Sequence, residues 1–350
     1  MSIEIWQFPQ SATRDQLIAL LLELGYVQGE NLFSPGLPGT VSFFWQESGD
    51  FKSTNGVDAS VFPLDDNAKE VWKTITDWAV RTRTSLGATS FDQEFQNYTV
   101  RCIRKKFGGT FYNDCFGHNR YNVITRELST PASRGLYGVL TKLLHDLESL
   151  EQVLPEETMK SLHTPQGEIT EETDQNGLLQ LIQKYDPSRV IYNALIPFLV
   201  AVIEDFFREC FEILLKYDSS TMVKLEDQTR KLSLAEVKAI SMREPGFERI
   251  VSSWYSFQNI NGIQKAYSEI LCFDIGKILS HREQVRDKLP IMSKWLENLI
   301  ETRHGVIHHF SLNRGLDRET FLDLIHFVRA LLQVVSEGFE QKLGIKLGPG

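Results

Sequence analysis

The 350-residue sequence predicts an α+β N-terminal domain followed by an all-α helical bundle. Three observations predict it. Residues 1–135 mix strand-like runs with short amphipathic helices, whereas residues 178–345 carry helical periodicity with no strand pattern between the helices. Between these flanks, residues 146–177 hold nine acidic groups against Lys160 alone, a net −8 in a chain whose total is −9. With Pro155, Pro165 and Gly167 and little apolar periodicity after Leu154, that stretch reads as a linker. The expected organisation is an α+β domain at 1–145, an acidic linker at 146–177 and a helical domain at 178–345.

Taken in order, Thr13 begins a short helix whose apolar residues are Leu17, Leu20, Leu21 and Leu24, stopped by Gly25. A Gly/Pro-rich stretch from Pro35 to Gly39 follows. Val41 to Trp45 and Val57 to Phe62 are strand-like in composition. Lys69 to Thr82 predicts a helix burying Val71, Trp72, Ile75 and Trp78 at 3–4 spacing. A further helix fits 91–107 and stops at Gly108-Gly109, with a strand- or loop-like run from Thr110 to Asp114.

In the C-terminal part, Pro187 to Tyr217 predicts one long helix, bent near Pro197 and apolar nearly all round at its centre. Helices also fit 233–243, 245–257, 262–280, 289–303 and 317–343. Ser233 with Glu236 forms a capping-box signature, and Asp317 caps the last helix.

Composition narrows the function classes. No uninterrupted apolar run of about 18 residues predicts a membrane span. The first ten residues lack the basic-then-apolar pattern of a signal peptide. Cys102, Cys115, Cys210 and Cys272 stand apart without a CxxC pair, which argues against a zinc ribbon or disulfide framework and for a reducing, cytoplasmic setting. The negative total does not exclude a phosphate-bearing ligand, because residues 81–134 hold nine Arg or Lys against four acids.

The densest cluster of reactive side chains is Arg303-His304-Gly305-Val306-Ile307-His308-His309, between two strongly amphipathic helices. Imidazole moves protons near neutrality, and guanidinium grips phosphate oxygens through paired donors. Those are the parts that metal-free phosphodiester transfer in RNA requires: a base, an acid and a cation for the phosphorane charge. At about 100° per residue, Arg303 and His308 lie roughly 140° apart on an unbroken helix. A non-helical segment is therefore expected at 305–307, where Gly305, Val306 and Ile307 are mediocre helix formers.

This string, late in an all-α domain, resembles the R-x4-6-H motif of HEPN ribonucleases. The resemblance covers roughly 185–345 and implies a helical bundle of four or five helices. Two protomers then pair so that their Arg and His line one cleft that cuts RNA without metal or other cofactor. On it, Arg303 is the phosphate-gripping residue and His308 the catalytic histidine. His304 occupies the place where the family most often has Asn, as a helper. The helix holding Glu204-Asp205 in an apolar run is similar to the first helix of some bacterial members. The family includes toxins of toxin–antitoxin pairs and antiphage effectors. The resemblance thus implies RNA as substrate, a homodimer, and an antitoxin or defence-system partner.

Bland readings stand beside these. The histidines also serve to satisfy the terminal carbonyls of a helix. Glu204 either orients a site residue or makes a structural salt bridge. His304, His308 and His309 offer metal-type donors without a nearby acidic third ligand, so no metal site is expected. Arg101, Arg104, Lys105, Lys106 and Arg120, interleaved with Phe107, Phe111, Tyr112 and Tyr121, form either an RNA-binding surface or a solvated helix face before a buried strand. The alternative to the enzyme is a catalytically silent module of the same fold that dimerises and binds a protein or nucleotide.

Overall fold

A computed structural model describes residues 2–29, 37–85, 87–124, 130–157, 161–164, 167–169, 177–218, 221, 231–242, 246–286 and 288–348. The chain divides into two compact units, Met1–Gly138 with Lys346–Gly350, and Val139–Ile345. The first is an antiparallel sheet with helices, and the second is largely helical.

The sheet of the first unit contains β1 (Ser2–Phe8), β2 (Val27–Gln28), β3 (Val41–Trp45), β4 (Val57–Pro63), β5 (Trp78–Ser85), β6 (Thr110–Asn113) and β7 (Gly117–His118). Their order is β2-β3-β4-β5-β1-β6-β7, with every neighbouring pair antiparallel. Three helices join it: α1 (Arg14–Glu23), α2 (Asp66–Trp72) and α3 (Ser90–Phe107). Leu17, Leu20 and Leu21 of α1 and Ile103 and Phe107 of α3 pack with Phe43, Val57, Ala59, Val61 and Val80. Each Leu, Ile, Val or Phe side chain among them contributes about 1.5–3 kcal/mol on full burial. Alternation along the strands sends Phe8, Phe62 and Ala79 into a second cluster, with Trp6 and with Trp72 of α2. Thr13 with Gln16 and Thr89 with Asp92 close capping boxes that fix the starts of α1 and α3. At the other end of α3, Gly109 has φ +91°, and a Cβ there would lie 2.0 Å from the Phe8 carbonyl oxygen. The Gly-Gly pair thus ends α3 and turns the chain into β6.

One expected helix is corrected. Over 69–82 the helix ends at Trp72, Lys73 takes the left-handed cap, and residues from Trp78 form β5. Val71 and Ile75 are exposed, so the 3–4 spacing from 71 to 78 was coincidental. The run from Trp78 to Ser85, with its alternating Thr and Arg, has the two-residue period of a strand.

The connecting helix α4 (Pro131–Gln152) buries Ala132, Leu136, Val139, Leu143 and Leu147 at helical spacing. It runs through residue 145, so the expected boundary there falls inside a helix and the division lies at 138/139. Beyond it, β8 (Leu162–Thr164) pairs with β9 (Gly167–Ile169). Residues 158–160, 165–166 and 170–176 of the expected acidic linker lie outside the described residues.

The second unit is built around α6 (Pro187–Tyr217), preceded by the short α5 (Leu178–Gln183). Asp186 caps α6 and Pro187 occupies its first turn. The helix continues through Pro197 and buries Tyr192, Ile196, Leu199, Ile203, Phe206, Phe207, Phe211 and Leu214. Around it stand α7 (Leu234–Met242), α8 (Phe247–Ser252), α9 (Ile260–Glu269), α10 (Ile275–Leu279), α11 (Met292–His309) and α12 (Arg318–Leu343). α6 packs against α8, α9, α11 and α12. Rings of Phe206, Phe207, Phe211, Tyr267 and Phe339 meet at its centre. Among the described residues α6 is the one helix long and apolar enough to cross a membrane, and half of its most apolar window is buried inside the protein.

Two further expectations change. The single helix expected over 262–280 is two, α9 and α10, separated by a turn in which Cys272 has φ 47°. The expected non-helical segment at 305–307 is helical, and α11 runs unbroken to His309. Its last carbonyls find donors without a break at Gly305, whose oxygen accepts from the Phe310 and Ser311 amides.

Candidate functional site

The face of α11 that meets α6 is set by Met292, Leu296 and Leu299, all buried. One turn on from Leu299, the same 3–4 spacing puts Arg303 on that face. Its side chain, 23% exposed, reaches Glu204 of α6, whose side chain is 11% exposed. The closest approach, Arg303 Nη2 to Glu204 Oε1, is 3.9 Å. That is an ion pair beyond hydrogen-bond length, and both Arg303 Nε and Glu204 Oε1 are buried without a hydrogen-bond partner. Burial raises the Glu204 carboxyl above its ordinary value, while Arg303 and, more weakly, Arg208 pull it down. Two strongly polar groups are thus held close and left unsatisfied, so the guanidinium retains donors for an anion.

The histidines occupy the adjoining exposed side of α11. His304 and His308, one turn apart, have ring centroids 4.5 Å apart, and His304 and His309 are 5.6 Å apart. All three are exposed. So are Ile307 and Phe310 beside them, Phe310 at 76% and with a left-handed backbone, φ 49°. Among the described residues, no three His, Cys, Asp or Glu side chains are grouped to hold a metal ion.

Of the residues singled out in sequence, the fold therefore brings together Arg303 with Glu204, and His304 with His308 and His309. It does not bring Arg303 to His308 within one chain, because on an unbroken helix they stand roughly 140° apart.

The turn after α11 is tied back to α6 by Asn193, a residue that the sequence did not single out. Its Nδ2 donates to the Asn313 carbonyl at 2.9 Å, and its Oδ1 accepts from the Asn313 amide at 2.7 Å. Arg189 Nη1 adds a bond of 2.7 Å to the Arg314 carbonyl. A polar Asn in the apolar run of α6 was the available signal.

The basic candidates of the first unit gather on the C-terminal half of α3 and near β7. Arg104 donates to the Tyr121 hydroxyl at 3.3 Å and lies over Phe111, and Arg101 lies over Tyr121. Lys106 lies 3.6 Å from Glu23. Lys105 and Arg120 are exposed. Both expected layers, a solvated basic face and a buried strand at Phe111, are present.

Comparison with protein-family models, with curated proteins and with solved structures finds no match to this chain.

Proposed function

We propose that the helical unit is a metal-independent endoribonuclease of the HEPN type, cutting RNA by attack of the 2′-OH to leave a 2′,3′-cyclic phosphate. The observation that carries this reading is Arg303, held against Glu204 beyond hydrogen-bond length beside an exposed run of histidines. Glu204 restrains the guanidinium without using up its donors, which suits a clamp on a phosphorane. His308 takes or returns the proton, and His304 and His309 support it. The reading includes a second copy. A two-fold axis near the end of α11 lets Arg303 of one chain face His308 of the other, and the exposed Ile307 and Phe310 provide apolar surface for that contact.

In this reading the protein is a cytoplasmic antiphage or toxin effector. The first unit, with Arg101, Arg104, Lys105, Lys106 and Arg120, selects RNA or receives an antitoxin or defence-system partner. Labelled RNA incubated with the purified protein in EDTA should be cut, with cyclic-phosphate ends. Cutting of RNA that is deoxy-substituted at the scissile ribose, or full loss of activity on chelation, overturns the mechanism.

A second reading is a silent dimerisation module of the same architecture. The unbroken α11 favours it, since Arg303 is engaged with α6 while the histidines face solvent. An Arg303→Ala, His308→Ala double variant that keeps the cellular phenotype decides for it.

A further inference from the structure

One turn along α6 from Glu204, a pocket of about 360 Å³ with a mixed polar and apolar lining opens beside α8. It is lined by Arg208, Arg249, Ser253, Tyr255, Ser256 and Gln258, among others. That volume falls at the small end of the roughly 300–1,000 Å³ typical of ligand pockets, enough for one phosphate with its sugar. Its two arginines are oriented by carboxylates of α6. Arg208 Nη1 donates to Asp205 at 3.0 Å, and Arg249 Nη1 donates to Glu212 at 3.2 Å. Ser252 Oγ donates to the same Glu212 oxygen at 2.6 Å and fixes that carboxylate in place.

A guanidinium carries five N–H donors, and each of these spends one on its carboxylate. Ser256 Oγ accepts from the Gln258 amide and from Asn259 Nδ2 and, among the described residues, donates to none, so its own proton remains for an acceptor. The pocket therefore offers donors in excess and a tyrosine ring at its wall. Its charges balance, two arginines against two carboxylates, so it selects by donor geometry more than by long-range attraction. Arg208 also acts on the Glu204 carboxyl, which makes the pocket a neighbour of the Arg303–Glu204 pair.

We propose that this pocket is a subsite for a phosphodiester of single-stranded RNA, gripped by Arg208 and Arg249 and leading the strand to Arg303. The proposal rests on the ribonuclease reading for its choice of strand, and binding measured without cleavage tests it separately. The test uses the full-length protein and a fluorescent, fully 2′-O-methylated RNA oligonucleotide, which offers no attacking hydroxyl. Anisotropy titrations should show Arg208→Ala and Arg249→Ala each weakening binding at least tenfold. The slope of log K against log salt should shallow by about 0.7 for each phosphate no longer neutralised. Arg249→Lys should restore part of the salt slope and less of the affinity, since a point charge lacks the planar fork. Lys238→Ala, on α7, should bind as the parent does.

In cleavage assays Arg249→Ala, which lies away from Glu204, should raise KM and spare kcat. Parent-like binding by both alanine variants overturns the subsite while leaving the ribonuclease reading intact. Loss of binding in both, with a parent that cuts no RNA, keeps the subsite and discards the nuclease. Adenosine monophosphate displacing the oligonucleotide at equal concentration overturns the strand assignment.

Discussion

Glu204 carries a carboxylate where the bundle gives it a cation at 3.9 Å and no hydrogen bond on one oxygen. Its carboxyl titrates above the ordinary 4.5, burial being the larger cause and Arg303 opposing it. The folded chain thus holds this proton more tightly than the unfolded chain. Stability from this group is fully present in acid and falls as pH rises from the ordinary value through the raised one. Denaturant titrations of Glu204→Gln should therefore match the parent below pH 4.5 and gain on it as pH rises above that. A parent that gains on the variant as pH rises would instead mean that Arg303 outweighs burial. His308→Ala should keep the parent's melting curve and lower the cleavage rate about 10²–10⁴-fold, the usual worth of a positioned proton-transfer group. Arg303→Lys should fall nearly as far, because a lysine reproduces the charge without the two parallel donors. These residues were legible as a string, since an arginine and three histidines within seven positions stand out in any sequence. The Arg303–Glu204 pairing was legible only as one of two options, because its members stand 99 positions apart in the chain and only the packing of α11 on α6 brings them together.

Helix α11 shows what a local reading misses. Gly305, Val306 and Ile307 are mediocre helix formers taken singly, yet the helix runs over them because Leu296 and Leu299 anchor it and the Phe310 and Ser311 amides close its end. Tertiary packing outweighs propensity there. The 71–78 spacing failed for the opposite reason: two tryptophans and two aliphatics fell at helical intervals, although a strand begins at Trp78. The long α6 was legible from end to end, since its apolar run is bounded by Asp186-Pro187 and Tyr217. The turn beyond α11 depends on one side chain of that helix. Asn193→Ala should cost about 0.5–1.5 kcal/mol for each of the two part-buried hydrogen bonds that it removes from the Asn313 backbone. Amide exchange at 311–316 should quicken more than exchange in α12; uniform quickening across the second unit would mean that Asn193 serves the core and not the turn.

For the molecule as a whole, the proposed two-chain site makes a prediction that no single-chain variant tests. Arg303→Ala and His308→Ala proteins, each inactive, should regain part of the parent activity when unfolded and refolded together, since a mixed dimer supplies one arginine and one histidine to the cleft. Activity that stays at the level of the separate variants means the two groups act from the same chain. Mass measured by light scattering should correspond to two chains at assay concentration. The sequence conveyed the two-part organisation, mixed and then helical, through the change of period on either side of the acidic stretch. It did not convey where the first part ends, because α4 spans the division with one continuous apolar stripe from Ala132 to Leu147.

The seven-stranded sheet is flanked by β2 and β7, each two residues long. An outside strand needs a row of free amides and carbonyls to zip onto, and rungs this short offer it almost none. The long strands β4 and β5 have both of their edges taken, and β1 is paired with β5 along most of its length and with β6 over Ile5–Phe8. Strand addition, a common way for a sheet to recruit an extended peptide or to grow into a fibril, thus finds no free ladder along β4 and β5. A partner that docks over β4 and β5 would have to be recognised by side chains on a face of the sheet, and mutations that change those side chains, not ones that alter backbone pairing, should then change which partner binds.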